Sequence, residues 1–516
     1  MKRKAMLILL ALVLGGGSFI PEQGQSAAAP DKKIVIAIAM EPTTIEPTLM
    51  VGGGDRTALE NWGEYLIYKA PNGDLKPGLA SSWKMSPDGK EIDFTLRKGV
   101  TFHNGDPLTS KDVAFSFDRE LKKNPQGPSR LKFIERLEVI DDYRLKLHFK
   151  TPDVTFIPNR AEVPIASKNY YDRVGEDKFV KAPVGTGPYK VVRYEPGQYI
   201  DIERFDGYWG EKPSVKSARF VFVSEDTTRV AKLKAGEVDF ISAVPYPMVK
   251  ELETSSSHKV IKFAVNHPTP SIAFANRNPK TPWYDRRVRL AMAYAIDCDA
   301  IIKNLLNGIP NRWAFLAPYE LGYDPSLKPY PYDPKKAREL LAEAGYPKGF
   351  DFSLYYPLGH RLPMIREMAE AIAAYFETVG IKTKLVGEEQ AAYRARQRAA
   401  QGPKAAEAVF VNWGTGGRAG SVDPSQSLYV YFTKEGGYSV YYNPEVEKII
   451  EEAKTTADEA KRGELIKKGV KIVHEDVASI PVFNNVIVYG MKKNIDFKPT
   501  EKFQFDVIFV KDITVR

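Results

Sequence analysis

The sequence has little cysteine: Cys298 is the one cysteine in 516 residues. A single thiol cannot form an intramolecular disulfide, so we expect the chain to be stabilised by burial of apolar side chains. Its hydrophobic content of 43% is enough for large cores. Cys298 lies in a helical pattern and is predicted to be an inert buried thiol.

Long apolar runs are also scarce. Residues 5–14 follow Lys2, Arg3 and Lys4 and precede the small residues 26–28, which is the pattern of a secretory signal peptide. This run is too short to span a membrane, and no later segment supplies the roughly eighteen apolar residues required. We therefore expect a signal peptide at 1–28 and an exported chain in the periplasm. Because Cys298 lies far from the cleavage site, anchoring through a lipidated cysteine is excluded.

Constellations typical of enzymes and metal sites are missing as well. The six histidines are dispersed without metal-ligand spacing. Residues 81–84 fit S-x-x-K but lack the companion motifs of a serine nucleophile. The glycine runs do not satisfy a dinucleotide fingerprint, and the arginines at 394, 396 and 398 lack the interleaved aromatics of a nucleic-acid surface. The sequence predicts no enzyme, no cofactor, no metal site and no nucleic-acid partner.

The net charge of +9 would suit an anionic ligand or a membrane surface. Lysine and arginine are, however, scattered through the predicted helices, so a solvated basic surface is the favoured interpretation.

Strand and helix patterns alternate along the chain. Residues 220–223 are predicted to form a strand, 227–235 a helix capped by Asp226 and closed by Gly236, and 238–241 the next strand. Between 134 and 149 the pattern changes to the period-two alternation of an antiparallel hairpin that turns at Asp141 and Asp142. After residue 285, strongly periodic helices begin at Asp333-Pro334 and Asn443-Pro444.

Several segments carry a family resemblance. Residues 75–121 read LKPGLASSWKMSPDGKEIDFTLRKGVTFHNGDPLTSKDVAFSFDREL, with Asp88-Gly89 as a hairpin turn and Thr109 or Ser110 opening a helix. Further matching segments lie at 183–210, 226–241, 282–308, 332–352 and 368–385. In their order along the chain, these segments resemble the peptide/nickel branch (family 5, cluster C) of the extracellular solute-binding proteins that serve ABC importers.

The resemblance implies an α/β, two-lobed periplasmic-binding-protein fold of type II, with an extra antiparallel α+β subdomain on the first lobe. The implied organisation is a first lobe at 29–75 and 186–275 with a C-terminal return at 481–516, an inserted subdomain at 76–185, and a second lobe at 276–480. The two crossovers are expected near Asn276 and Ser479.

Candidate ligand contacts follow from the same resemblance. Trp413 ends a predicted strand and is followed by a glycine-rich loop, here Gly414, Thr415, Gly416, Gly417 and Arg418. Family members place an aromatic residue and backbone groups of this loop against the ligand, although a tryptophan after a strand can also be a core residue.

The peptide-binding members carry an aspartate shortly after this tryptophan, which pairs with the α-ammonium group of the peptide. This chain has Gly416 and Gly417 there, and the next acid, Asp423, matches a later structural Asp-Pro. That departure favours a ligand without a free ammonium group, such as a carboxylate, an opine or a sugar. Arg418 favours the same class, or else is an exposed loop residue.

Three further contacts are expected by resemblance. Arg361 lies in a glycine-arginine loop where a guanidinium could hold a carboxylate, or it is a plain surface residue. Val51 and Gly52 match a loop whose backbone approaches the ligand, or form a mobile turn. Tyr246 follows a strand of the first lobe and is predicted to present an aromatic wall.

The predicted function is that of a monomeric periplasmic solute-binding protein. It would capture a small organic solute, such as a peptide, opine, carboxylate or oligosaccharide, and deliver it to the transmembrane subunits of an ABC permease. An exported hydrolase, a periplasmic chaperone and a nickel-chelate carrier remain as alternatives.

Overall fold

The computed structural model describes residues 33–516 with the exception of 51–52, 71–73, 126, 158–161, 265–269, 359–363, 401–408, 414–422, 437–438 and 499–506. The predicted signal peptide at 1–28 lies outside the described residues.

The strands, numbered in chain order, are β1 Ile34–Ile38, β2 Ile67–Lys69, β3 Leu75–Pro77, β4 Ala80–Met85, β5 Glu91–Leu96, β6 Ile134–Asp141, β7 Arg144–Phe149, β8 Tyr189–Glu195, β9 Tyr199–Arg204, β10 Ser217–Phe222, β11 Phe240–Ile241, β12 His258–Ala264, β13 Pro270–Phe274, β14 Asp351–Pro357, β15 Lys382–Glu388, β16 Val409–Trp413, β17 Ser479–Pro481, β18 Val486–Lys492, β19 Ile495–Phe497 and β20 Ile513–Val515.

The α-helices span Gly53–Leu59, Ser110–Lys123, Gly127–Leu131, Lys168–Lys181, Asp226–Ala235, Val249–Thr254, Arg286–Ala295, Cys298–Asn304, Pro334–Glu343, Ile365–Glu377, Gln390–Ala399, Ser425–Phe432, Pro444–Thr455 and Glu459–Glu475. Short 3-10 turns occur at Pro47–Leu49, Tyr246–Met248, Pro282–Tyr284 and Val510–Asp512.

The first main sheet has seven strands in the order β12-β18-β11-β1-β10-β9-β8. Its central strand β1 has the apolar sequence IVIAI and is parallel to both neighbours, β10 and β11. A short apolar run of this kind is typical of a strand covered on both faces. The remaining pairs are antiparallel. This sheet is the framework of the first lobe.

The second main sheet has the order β15-β14-β16-β13-β17. Strand β14 is parallel to β15 and β16, whereas β13 is antiparallel to β16 and β17. The chain passes from the first sheet to the second between Ala264 and Pro270, and returns between Pro481 and Val486. The first passage therefore precedes Asn276, near which the sequence placed it, because β13 already belongs to the second sheet.

A third sheet, β4-β5-β7-β6, is entirely antiparallel and lies within the segment expected to be inserted. In β7 the side chains of Leu145, Leu147 and Phe149 are buried, as the alternation predicted. The helix Ser110–Lys123 covers this sheet and starts with a capping box, in which Asp112 accepts a hydrogen bond from the Thr109 amide. These elements form the inserted antiparallel α+β subdomain.

The helix predicted at 227–235 occurs as Asp226–Ala235, and Gly236 ends it with a φ of 78°. The capping residue is Glu225, whose carboxylate accepts from the amides of Thr227 and Thr228, rather than Asp226. Asp226 instead pairs with Arg229. The predicted strands on either side do not pair with each other, because β1 lies between β10 and β11.

Among the described residues, none of the helices has the length and apolar character that a membrane crossing requires.

Candidate functional site

The two main sheets each have an edge where parallel strands end. In the first sheet, β1, β10 and β11 run in one direction and finish at Ile38, Phe222 and Ile241. In the second sheet, β14 and β16 are parallel neighbours that finish at Pro357 and Trp413. Ligands of open α/β sheets bind outside the carboxyl ends of the strands. These two edges are therefore the candidate walls of a binding cleft.

Trp413 is the last residue of β16 and lies opposite Pro270, the first residue of β13. Its backbone thus stands at the sheet edge next to the passage between the lobes. The other contacts predicted on this lobe, Gly414, Thr415, Gly416, Arg418 and Arg361, lie outside the described residues, and their roles stay predictions.

Val51 and Gly52 also lie outside the described residues, but the residue before them is firmly held. The side-chain amide of Asn124 donates hydrogen bonds to the carbonyl of Met50 at 2.8 Å and to that of Thr48 at 3.1 Å. Asn124 is buried and belongs to the inserted subdomain, just after the helix Ser110–Lys123. The subdomain therefore fixes the turn that leads into the predicted ligand loop. The sequence carries no local signal for this contact.

Arg229 organises the edge of the first sheet. Its side chain is fully buried, and the guanidinium donates to the carbonyls of Val223, Ser242 and Ala243 at 2.8, 3.1 and 2.9 Å. Those carbonyls follow the carboxyl ends of β10 and β11. Ala243 has a positive φ of 49°, which is unfavourable for a residue with a side chain. Arg229 thus holds two loops at the cleft edge, one of them in a strained conformation. Arg229 lies within residues 226–241, one of the segments that carry the family resemblance. That resemblance was the sequence feature that could have pointed to this residue.

Tyr246 lies at the described crossover. The residue is fully buried, and its hydroxyl donates to the side-chain carbonyl of Asn485 at 2.7 Å and also lies 3.0 Å from the Val486 carbonyl. Asn307 of the second lobe donates to the Tyr246 carbonyl at 3.2 Å. Tyr246 therefore fastens the return passage 482–485 between the lobes. Its predicted contact with a ligand stays a prediction, and this structure covers the ring with protein.

Carboxylates of both lobes approach each other beside this edge. Hydrogen bonds from Thr228 and Thr227 lower the pKa of Glu225 to about 2, so it is ionised. Burial raises the pKa of Asp226, Arg229 opposes that shift, and the carboxylates of Glu225 and Glu367 add to it. Glu367 belongs to the helix Ile365–Glu377 of the second lobe. A carboxylate of the second lobe therefore lies near enough to Asp226 to affect its pKa.

Within the described parts of the chain, histidine, cysteine and carboxylate side chains do not gather in groups of three or more that could hold a metal ion.

Comparison with known proteins adds to this geometry. The family model described as bacterial extracellular solute-binding proteins, family 5 Middle, matches residues 74–439. The "Dipeptide-binding protein" of Escherichia coli (strain K12) is 28% identical over 524 residues, covering 94% of this chain and 96% of that protein. "Heme-binding protein A" of Haemophilus influenzae is 30% identical over 549 residues, covering 99% of each.

Solved structures show the same architecture over nearly the whole chain. The periplasmic binding protein DppA from Helicobacter pylori in complex with the peptide STSA has a TM-score of 0.82 at 26% identity, covering 94% of this chain and 98% of that chain. The binding protein AgaA from "A.tumefacien R10" in complex with agropinic acid has a TM-score of 0.81 at 26% identity, covering 94% of this chain and 99% of that chain.

Proposed function

Because the chain belongs to the bacterial extracellular solute-binding proteins of family 5, we propose that it captures one small organic solute between its lobes and releases it, chemically unchanged, to an ABC permease. The observation that carries this proposal is the arrangement of the two main sheets. They are joined by two passages, and each sheet has an edge at which parallel strands end. Hinge closure around a solute buries it against both lobes and excludes water.

The proposed ligand is a peptide-like or other small organic solute without a free ammonium group. The named relatives bind a dipeptide, heme, the peptide STSA or agropinic acid, so the family alone does not select the ligand. Gly416 and Gly417 stand where the peptide-binding members carry the aspartate that pairs with the ammonium group. A buried ammonium without a counter-charge would cost several kcal/mol, which favours a carboxylate, an opine or a sugar.

The proposed contacts lie on both lobes. From the first lobe, Val51 and Gly52 would approach the ligand through their backbone. From the second lobe, Trp413 would supply an aromatic face and Arg361 a guanidinium group. The adjoining loop would contribute Gly414, Thr415, Gly416 and Arg418.

We also propose export by the predicted signal at 1–28, residence in the periplasm without a lipidated cysteine, and action as a monomer without catalysis. The partner would be the transmembrane subunits of the permease.

Replacing Trp413 with alanine should weaken binding by on the order of tenfold or more, because the loss of an aromatic face removes both apolar contact and stacking. The assay is a thermal-shift screen with a dipeptide, glutathione, agropinic acid, heme and Ni(L-His)2, followed by titration calorimetry of the solute that raises Tm.

Trp83→Ala is the matched control, because Trp83 lies on β4 of the inserted subdomain, away from both cleft edges. Equal affinity of wild type and Trp413→Ala would reject this residue assignment. A dipeptide that binds more tightly than agropinic acid would reject the proposed ligand class.

A further inference from the structure

Phe133 joins the inserted subdomain to the second lobe. It lies directly before β6 of the subdomain, and its carbonyl accepts a hydrogen bond from the Lys150 amide of the same subdomain at 3.0 Å. Its ring, however, packs against the hydrophobic cluster of the second lobe. The ring meets Tyr429 edge-on with a centroid distance of 5.8 Å. Tyr429 belongs to the helix Ser425–Phe432, almost 300 residues further along the chain.

Lys454 of the second lobe completes this contact. The residue is only 3% exposed, although it is a lysine. Its ammonium group lies 4.2 Å from the ring centroid of Phe133 and 5.0 Å from that of Tyr429, and it donates a 3.1 Å hydrogen bond to Glu451. An ammonium group held against aromatic faces away from water interacts with them more strongly than one exposed to solvent.

The backbone supports the same junction. The amide of Val154 in the inserted subdomain donates to the Lys454 carbonyl at 3.2 Å. That carbonyl is at the C-terminal end of the helix Pro444–Thr455, where carbonyls lack a partner within the helix. Lys132 and Glu435 add an ion pair at 3.6 Å, but both side chains are exposed, so it contributes little. We call the set Phe133, Val154, Tyr429 and Lys454 the latch.

The latch is separate from the two passages between the main sheets. The passages keep the lobes connected in every conformation, whereas the latch exists only while the subdomain and the second lobe are in contact. Phe133 is only partly buried, whereas Tyr429 and Lys454 are 4% and 3% exposed, so opening of the latch would uncover these two residues of the second lobe. Because the latch joins elements that neither passage links, it can favour one arrangement of the lobes over another.

We propose that the inserted subdomain works as a latch that stabilises the closed arrangement of the lobes. Its role in solute retention rests on the proposed function, but its effect on the balance of open and closed forms does not. Removing Phe133 or the Lys454 ammonium should shift the ratio of closed to open forms by on the order of tenfold.

Distances between two spin labels test the latch in the full chain without any ligand. Cysteines replace Val192 on the first lobe and Tyr284 on the second, which are 58% and 53% exposed. Native Cys298 is buried, and burial raises the pKa of its thiol to about 11, so it will not react with the label. We expect populations at both a short and a long distance in the ligand-free wild type, and a larger fraction at the long distance in both Phe133→Ala and Lys454→Met.

Tyr143→Ala and Lys98→Met are matched controls, because this pair forms a cation–π contact of 5.4 Å inside the subdomain. Neither should change the distribution. Phe133→Trp should retain the short distance, which separates loss of the ring from damage to the subdomain. A ligand-free wild-type chain found entirely at the long distance would overturn the latch. Unchanged distance distributions in both latch variants would also overturn the latch, but they would not contradict the proposed solute binding. If Phe133→Ala fails to fold, the distance distribution of Lys454→Met alone tests the latch.

Discussion

Replacing Arg289 with methionine is expected to lower the free energy of unfolding by about 3–5 kcal/mol, whereas the same change at Arg287 should lower it far less. The two arginines stand two residues apart in the segment 282–308 that carries part of the family resemblance. Denaturant unfolding of the two variants beside the wild type measures the difference.

The reason lies in their surroundings. Arg289 is 3% exposed, and its guanidinium donates to the carbonyls of Asp476, Trp283 and Tyr284 at 2.7, 2.9 and 2.9 Å. It also pairs with the Asp476 carboxylate at 2.6 Å. Removing it leaves several buried acceptors unsatisfied. Arg287, by contrast, is half exposed and pairs with the partly exposed Asp285.

Arg289→Lys serves as the conservative variant. A lysine restores the charge but not the planar guanidinium group that reaches several carbonyls at once. Arg289→Lys should therefore lower the free energy of unfolding by an intermediate amount. An equal decrease in the free energy of unfolding for Arg287→Met and Arg289→Met would contradict the structural role assigned to Arg289. Residues 476 and 477 lead directly into β17 and the return passage, so we also expect Arg289→Met to loosen the crossover.

The second large effect is expected at Arg119. Its side chain is buried and lies 3.3 Å from the carboxylate of Glu46, which is also buried. Its other face forms two hydrogen bonds of 2.8 and 2.9 Å to Glu176. Arg119→Met should cost about 3–5 kcal/mol, because Glu46 would keep its burial and lose its counter-charge. Glu176 is more exposed and can be solvated instead.

The pH dependence separates this cause from a simple packing defect. Burial raises the pKa of Glu46 above its ordinary value of 4.5, and Arg119 opposes that rise. Without Arg119 the folded state therefore takes up a proton more readily than the unfolded state. Below pH 4.5 Glu46 is neutral in both states, and the destabilisation appears as the pH rises through the folded pKa. The cost of Arg119→Met should thus be larger at pH 7 than at pH 4.5.

Two comparisons make the test specific. The double variant Glu46→Gln with Arg119→Met should be less destabilised than the sum of the single changes. Arg173→Met removes an arginine from an exposed bidentate pair with Asp106 and should lower the free energy of unfolding far less than Arg119→Met. A cost at Arg119 that does not depend on pH would show that lost packing, rather than an uncompensated carboxylate, is responsible.

The sequence predicted the fold well where the determinants are local. The period-two alternation of 143–149 and the helix ending at Gly236 depend on neighbouring residues alone, and both occur as expected. The cap of that helix was misplaced by one residue, since Glu225 and Asp226 are adjacent acids and only the tertiary partner Arg229 distinguishes their roles.

Contacts between distant segments could not be predicted. Nothing near Phe133 indicates that its ring lies against Tyr429, and nothing near Asn124 indicates that its amide holds Met50. Tyr246 shows the same limit: an aromatic residue after a strand has one local pattern, whether it faces a ligand or fastens a crossover. The resemblance to a family supplied the two-lobed architecture because it carries the long-range information that periodicity lacks.

The central claim is that two lobes close around a solute. The most direct test records the distance between spin labels at positions 192 and 284 before and after saturation with the solute that raised Tm in the screen, with mass spectrometry of the solute recovered afterwards. The account predicts a shorter distance and a chemically unchanged solute. An unchanged distance distribution at saturation, or recovery of a converted product, would contradict it.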